Sequence, residues 1–211
     1  MSLAELSRRE RKKEETRRRI FEAAIELFRT KGFEPTTVDE ITEKADVGRG
    51  TFFNYFPRKE SVLAYLSEER LAVAEENATA LLAEASPARE KLIDLYLHAA
   101  SAWEQDRELS QYIFNEWLQR AFAPTAEAER GWQTLVRALL AQGRTSGELR
   151  TDIDDERADA LLSGVYMTTL FHWLFCPEEC RRTDFELRGE LRTRLEIVFD
   201  GLTPRTPEVR P

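Results

Sequence analysis

The chain has 211 residues, 42% hydrophobic and 33% charged, with a formal net charge of −8, which excludes a low-complexity or fibrous protein and leaves room to bury a real core. No stretch approaches the roughly 18 uninterrupted apolar residues of a membrane span, and the opening MSLAELSRRERKKEETRRR has no apolar run after its basic residues, so a soluble cytoplasmic protein is expected. The two cysteines, Cys176 and Cys180, make no disulfide framework and read as free thiols near a helix end.

Charge is unevenly spread. Residues 1–60 hold 14 basic and 12 acidic residues, and the totals of 31 and 39 leave 17 and 27 for the rest, so a mildly basic head precedes an acidic body. Within the head, RRERKKEETRRR at residues 8–19 carries eight cations against three anions. Such a run is usually a solvated helix face, with nucleic-acid contact as the sharper alternative.

Taken in chain order, the apolar pattern is helical throughout, with no strand alternation. Ile20, Ala23, Ala24, Leu27 and Phe28 form a stripe on a helix over residues 12–31, closed by Gly32. Thr37 and Glu40 form a T-x-x-E capping box that opens a second helix of about nine residues, with Val38, Ile41 and Ala45 on its buried side. The triplet DVG turns the chain, Gly48 stands at the N-cap, and a third helix runs over residues 49–56 until Pro57 ends it. A fourth opens near Lys59.

Two short helices joined by a tight turn and buttressed by a longer one predict a helix-turn-helix, whose second helix enters the DNA major groove. Phe52 and Phe56 are expected to face inward, leaving Arg49, Thr51, Phe53, Asn54 and Tyr55 for the outward and flanking faces. Arg49 suits guanine O6 and N7, Thr51 or Phe53 a thymine methyl, and the Tyr55 hydroxyl a phosphate. Lys59 at the start of the next helix, and Thr37 through its hydroxyl or backbone N–H, are the expected phosphate anchors.

Residues 16–66, TRRRIFEAAIELFRTKGFEPTTVDEITEKADVGRGTFFNYFPRKESVLAYL, resemble without a gap the DNA-binding head of TetR-family transcriptional regulators. The likeness includes K-G-F, T-T-V-D-E-I, A-x-V-x-x-G-T-F and Y-F-P-x-K-E. It implies that Thr37, Arg49, Thr51, Phe53, Tyr55 and Lys59 face DNA. Phe53 stands where tyrosine is frequent, and Gly48 and Arg58 where serine or another capping residue is.

Beyond the head, helices are expected over residues 61–84, 89–104, 109–122, 127–144, 155–175 and 185–201, punctuated by Ser86-Pro87, Ala123-Pro124, a loop from Gly143 to Asp155, and Cys176-Pro177. The resulting fold class is all-α: a three-helix DNA-binding head over residues 1–60, a helical bundle over 61–202, and a disordered tail over 203–211. By resemblance the bundle binds ligand and forms a dimer. The residues also argue for the dimer, since ERADALLSGVYMTTLFHWLF is apolar around most of its circumference and Gly164 and Gly189 fall inside the last two helices. Two heads in a homodimer would stand about one DNA turn apart, roughly 34–36 Å, and read a near-palindromic operator.

The body is rich in rings, and Trp103, Phe114, Trp117 and Tyr166 are the candidate contacts for a small-molecule effector. No cofactor, metal or catalytic residue is expected, because His98 and His172 fit no metal spacing and no phosphate loop or nucleophile elbow occurs. The reading is therefore a repressor, not an enzyme, that leaves double-stranded DNA when a small apolar or amphipathic effector binds. The alternatives are a helix-turn-helix regulator gated by a partner protein or by nothing, and an all-helical enzyme.

Overall fold

The computed structural model describes residues 8–121, 127–177 and 185–203. Those residues form nine helices and no strand: α1 (Arg8–Lys31), α2 (Val38–Lys44), α3 (Arg49–Tyr55), α4 (Glu60–Ala83), α5 (Ala88–Glu104), α6 (Arg107–Ala121), α7 (Glu127–Thr145), α8 (Asp155–Phe175) and α9 (Leu187–Leu202). The fold is all-α, as expected. Ala123-Pro124, Cys180 and the tail from Pro204 lie outside the described residues.

The chain divides into two compact units, one of residues 1–67 with 108–120, the other of residues 68–107 with 121–211. In the first, Ile20, Ala23, Ala24, Ile25 and Phe28 bury one stripe of α1. Gly32 ends the helix at φ 94°, its N–H donating to the Phe28 carbonyl at 3.0 Å, a backbone conformation that a Cβ would strain. The left-handed residue of the turn between α2 and α3 is Asp46, at φ 51°, which an aspartate tolerates. Phe56, pushed to φ −131° and ψ 101° by the proline after it, stops α3.

The described part of the first helix includes residues 8–11, ahead of the expected start at residue 12. From Arg8 to Arg19 nothing apolar sets a register, yet the segment is made of good helix formers and holds an Arg11–Glu15 pair at i, i+4.

The second unit packs α5, α7, α8 and α9 on one another. Its core includes Leu92, Tyr96, Val136, Leu139, Leu162, Leu170, Leu191 and Phe199. Asp154 caps α8 by accepting the Arg157 N–H at 2.8 Å. Lys91 is 1% exposed and donates to the Glu84 carbonyl at 2.6 Å and to Gln142 Oε1 at 3.1 Å, tying α5 to the chain before it and to α7.

Gly143, where the expected helix over residues 127–144 and the expected loop overlap, lies inside α7. A Cβ there would stand 2.8 Å from Leu149 Cδ1 and 2.9 Å from the Ala88 Cβ, so the glycine is where two other segments approach the helix. Gly143→Ala is therefore expected to cost about 1–3 kcal/mol through overpacking, despite alanine's better helix propensity. Urea unfolding followed by circular dichroism would show a lower midpoint than wild type.

Candidate nucleic-acid interface

A seven-residue helix cannot hold itself together in water, so α3 stands only by what it buries. Phe52 and Phe56 are fully buried. Their rings lie 5.9 Å apart, and Phe56 meets the Tyr65 ring of α4 at 6.0 Å, which in turn meets Phe21 of α1 at 5.0 Å. The Arg17 guanidinium covers this cluster, 4.1 Å from the Tyr65 centroid. One face of α3 is thus spent on packing. Arg49, Phe53 and Asn54 are exposed on the other, with Thr51 and Tyr55 half-buried beside them.

Arg49 is held in place. Its Nη1 donates to both carboxylate oxygens of Asp39, at 2.9 and 3.1 Å, and its guanidinium lies 5.9 Å from the Phe53 ring centroid. Both partners are well exposed, so the pair is worth about 0–1 kcal/mol and would yield at little cost to a competing partner. No sequence signal singles out Asp39, because its partner lies across a turn whose geometry no spacing rule supplies.

Thr37 caps α2, its hydroxyl oxygen accepting the Glu40 N–H at 3.3 Å while Glu40 Oε2 accepts the Thr37 N–H at 2.9 Å and its hydroxyl at 3.0 Å. Glu40 also takes a bond from Lys31 Nζ. These interactions, the Lys31 bond first and the Thr37 bonds next, hold the Glu40 carboxyl down to about 2. A phosphate arriving at Thr37 would compete with Glu40 for its N–H and hydroxyl.

Lys59 turns inward. Its ammonium donates to three carbonyls of the loop after α1, those of Phe33 at 2.8 Å, Glu34 at 3.1 Å and Thr36 at 3.1 Å, and sits 4.3 Å from the Phe33 ring centroid. An ammonium has three N–H bonds, and all three are occupied. A phosphate arriving at this position would therefore meet the backbone that opens α4 rather than the ammonium. Next to it, Arg58 bonds the buried Glu116 of α6 at 2.9 and 3.4 Å, and Phe33 packs on Tyr112 of the same helix at 4.7 Å. No sequence signal assigns this part of α6 to the head, since the partners are 58 residues apart.

The four candidate effector residues fall in two pairs. In the first unit, buried Phe114 packs against Trp117 at 5.6 Å. In the second, Trp103 Nε1 donates to the Tyr166 hydroxyl at 2.9 Å, and Tyr96 stands 5.4 Å from both Tyr166 and Trp132. Burial raises the Tyr96 and Tyr166 hydroxyls above the ordinary tyrosine range, so both stay neutral donors. Tyr96 Oη lies 3.4 Å from Ser163 Oγ, Ser163 donates to Asp159 at 3.2 Å, and Arg137 pairs with Asp159 at 3.5 Å. A polar chain thus leads away from these rings. Among the described residues no group of His, Cys, Asp and Glu is arranged for a metal, and no helix is long and apolar enough to cross a membrane.

The family model for bacterial regulatory proteins of the tetR family matches residues 20–66, and that for the C-terminal domain of TetR/AcrR family transcriptional repressors matches residues 68–201. The structure of Thermus thermophilus FadR, a TetR-family transcriptional repressor in complex with lauroyl-CoA, is similar at 30% identity and a TM-score of 0.69, over 92% of this chain and 99% of that one. The Bacillus subtilis fatty acid metabolism regulator protein is 24% identical over 186 residues, 87% of this chain and 93% of that protein. The fold is also shared by Bacillus subtilis FadR in complex with stearoyl-CoA, at 22% identity and a TM-score of 0.65, over 88% of this chain and 98% of that one.

Two outcomes follow from the geometry of the head. Lys59→Met leaves three carbonyls without their shared cation and is expected to lower stability by about 1.5–3 kcal/mol, read from the urea midpoint. Because Glu40 is depressed from 4.5 to about 2, its contribution is complete above the ordinary value and is lost as pH falls toward about 2. Acid unfolding of Glu40→Gln should accordingly show a shallower loss of stability across that window than wild type.

Proposed function

The chain belongs to the TetR family and is a transcriptional regulator, and from that premise we propose that it is a homodimeric repressor whose α3 reads a near-palindromic operator and which a long-chain acyl-CoA releases. The observation that carries the DNA half is the division of α3 into a face committed to the core by Phe52 and Phe56 and a face bearing Arg49, Phe53 and Asn54. Arg49 reads guanine, Thr51 and Phe53 meet bases, Asn54 and Tyr55 flank them, and backbone at Thr37 and Lys59 approaches phosphates.

The dimer reading rests on α8 and α9. Leu161, Gly164, Thr168 and Phe171 share one exposed stripe of α8, and Gly189, Thr193 and Ile197 one of α9; Leu161, Phe171 and Ile197 are 50%, 55% and 67% exposed. A Cβ at Gly164 would meet nothing within 4 Å. Its helix-propensity cost of about 1 kcal/mol thus has no return inside one protomer, whereas a second copy packed on the stripe supplies one.

The effector reading draws on the acyl-CoA complexes of the similar repressors and on the ring-lined interior around Trp103 and Tyr166. An acyl chain suits the rings, and its thioester carbonyl suits the neutral tyrosine hydroxyls. Release needs a ligand that favours the DNA-free conformation, and moving a 1:99 equilibrium to 99:1 takes about 10⁴-fold differential affinity.

Fluorescence anisotropy of a labelled duplex, selected from random DNA, tests both halves. Lauroyl-CoA is expected to release the duplex and coenzyme A alone is not; equal action of the two would overturn the acyl reading. Arg49→Ala should relax base preference at one position per half-site by about 1–3 kcal/mol. For the interface, Phe171→Glu with Ile197→Glu is expected to give a folded monomer by sedimentation that binds the duplex far more weakly, and a persistent dimer would contradict the assignment.

A further inference from the structure

The cation run at the start of α1 has a role that the operator reading does not use, and the geometry points to phosphates flanking each half-site as its partner, an inference that rests on the DNA-binding reading above. From Arg8 to Arg19 the run extends about 18 Å of helix, all before residue 20, where the family match begins.

The segment is not explained by stability. It buries no apolar side chain, since the first fully buried residue of α1 is Ile20. It also crowds eight cations against three anions along twelve residues, so like charges repel one another along the helix. Ion pairs offset only part of this. Arg11 pairs with Glu15 at 3.8 Å and Arg18 with Glu22 at 2.8 Å, whereas Arg8, Arg9, Lys12, Lys13 and Arg19 are exposed and have no ion-pair partner among the described residues. A local rule broken without an internal gain marks a functional surface.

Two observations choose DNA over other anionic partners. Arg17, at the root of the segment, lies over the Tyr65 ring at 4.1 Å and 5.9 Å from that of Phe56, the residue that ends α3, so the run is fixed within the unit that carries the recognition helix. Stable lipid anchoring needs an apolar face or acyl chain beside a basic patch, and RRERKKEETRRR contains no apolar residue. Cations spread round a helix, most of them without an ion pair among the described residues to aim them as Asp39 aims Arg49, supply attraction to phosphates.

The test compares the full chain with the variant Arg8→Gln, Arg9→Gln, Lys12→Gln, Lys13→Gln, Arg19→Gln on a selected duplex, one version ending at the recognition-helix footprint and one carrying about five more base pairs on each side. Glutamine is a good helix former, and circular dichroism checks folding; a chain lacking residues 1–12 serves as the second variant. Wild type is expected to bind the longer duplex at least about tenfold more tightly, and both variants to bind the two lengths alike with unchanged base preference. Removing one neutralised phosphate should flatten the slope of log affinity against log salt by about 0.9, hence by about 2 or more for the dimer. Variants that keep the wild-type slope and length dependence would overturn the inference. So would variants that bind DNA as wild type does but no longer bind phosphatidylglycerol vesicles, which would point to a lipid surface. Failure of the wild type on every duplex would instead sink the DNA-binding reading on which this one rests.

Discussion

The head depends on one constraint: two turns of helix have to be held rigid from one side so that the other side is free to meet a base edge. Phe52 and Phe56 supply the hold, and the Tyr65, Phe21 and Arg17 cluster closes over Phe56 from α4 and α1. Aromatic rings suit this role because each contributes a large buried area with few rotamers to freeze. The same economy explains a stretch with four rings and three cations in twelve residues, RGTFFNYFPRKE, which serves a core and a polar surface at once.

Cations in the head divide by what they touch. Lys59 and Arg58 are structural: one closes the loop after α1 through three carbonyls, the other reaches the buried carboxylate of Glu116. Arg49 is held only by an exposed carboxylate, an interaction weak enough to give up. The basic run at the start of α1 is mostly without ion pairs among the described residues. This order, from locked to loosely held to unpaired, follows burial rather than position in the chain, and only the last two classes have charge to spare for a nucleic acid.

Much of this is legible in the sequence. The capping box at Thr37 and Glu40, the glycine stop at Gly32, the proline stop after Phe56 and the bounds of α8 all follow from local chemistry, and local chemistry is what a sequence displays. Three features are not legible. The inward turn of the Lys59 ammonium cannot be read until its carbonyl partners, 23 to 26 residues away, are located. The close approach at Gly143 is hidden until Leu149 and Ala88 are found where its Cβ would stand. The share of α6 that joins the head is invisible because Arg58, Glu116, Phe33 and Tyr112 carry no pattern linking them. In each of these the deciding partner is set by the folded chain, where periodicity and spacing carry no information.

Guanine N7 lies in the major groove, so premethylating it tests most directly whether the exposed face of α3 reads DNA there. Methylation interference on a duplex bound by the full chain is expected to block binding at guanines placed symmetrically about one helical turn apart, and the blocks are expected to vanish in Arg49→Ala. Binding that tolerates every methylated guanine, or interference confined to the minor-groove N3 of adenine, would contradict the account.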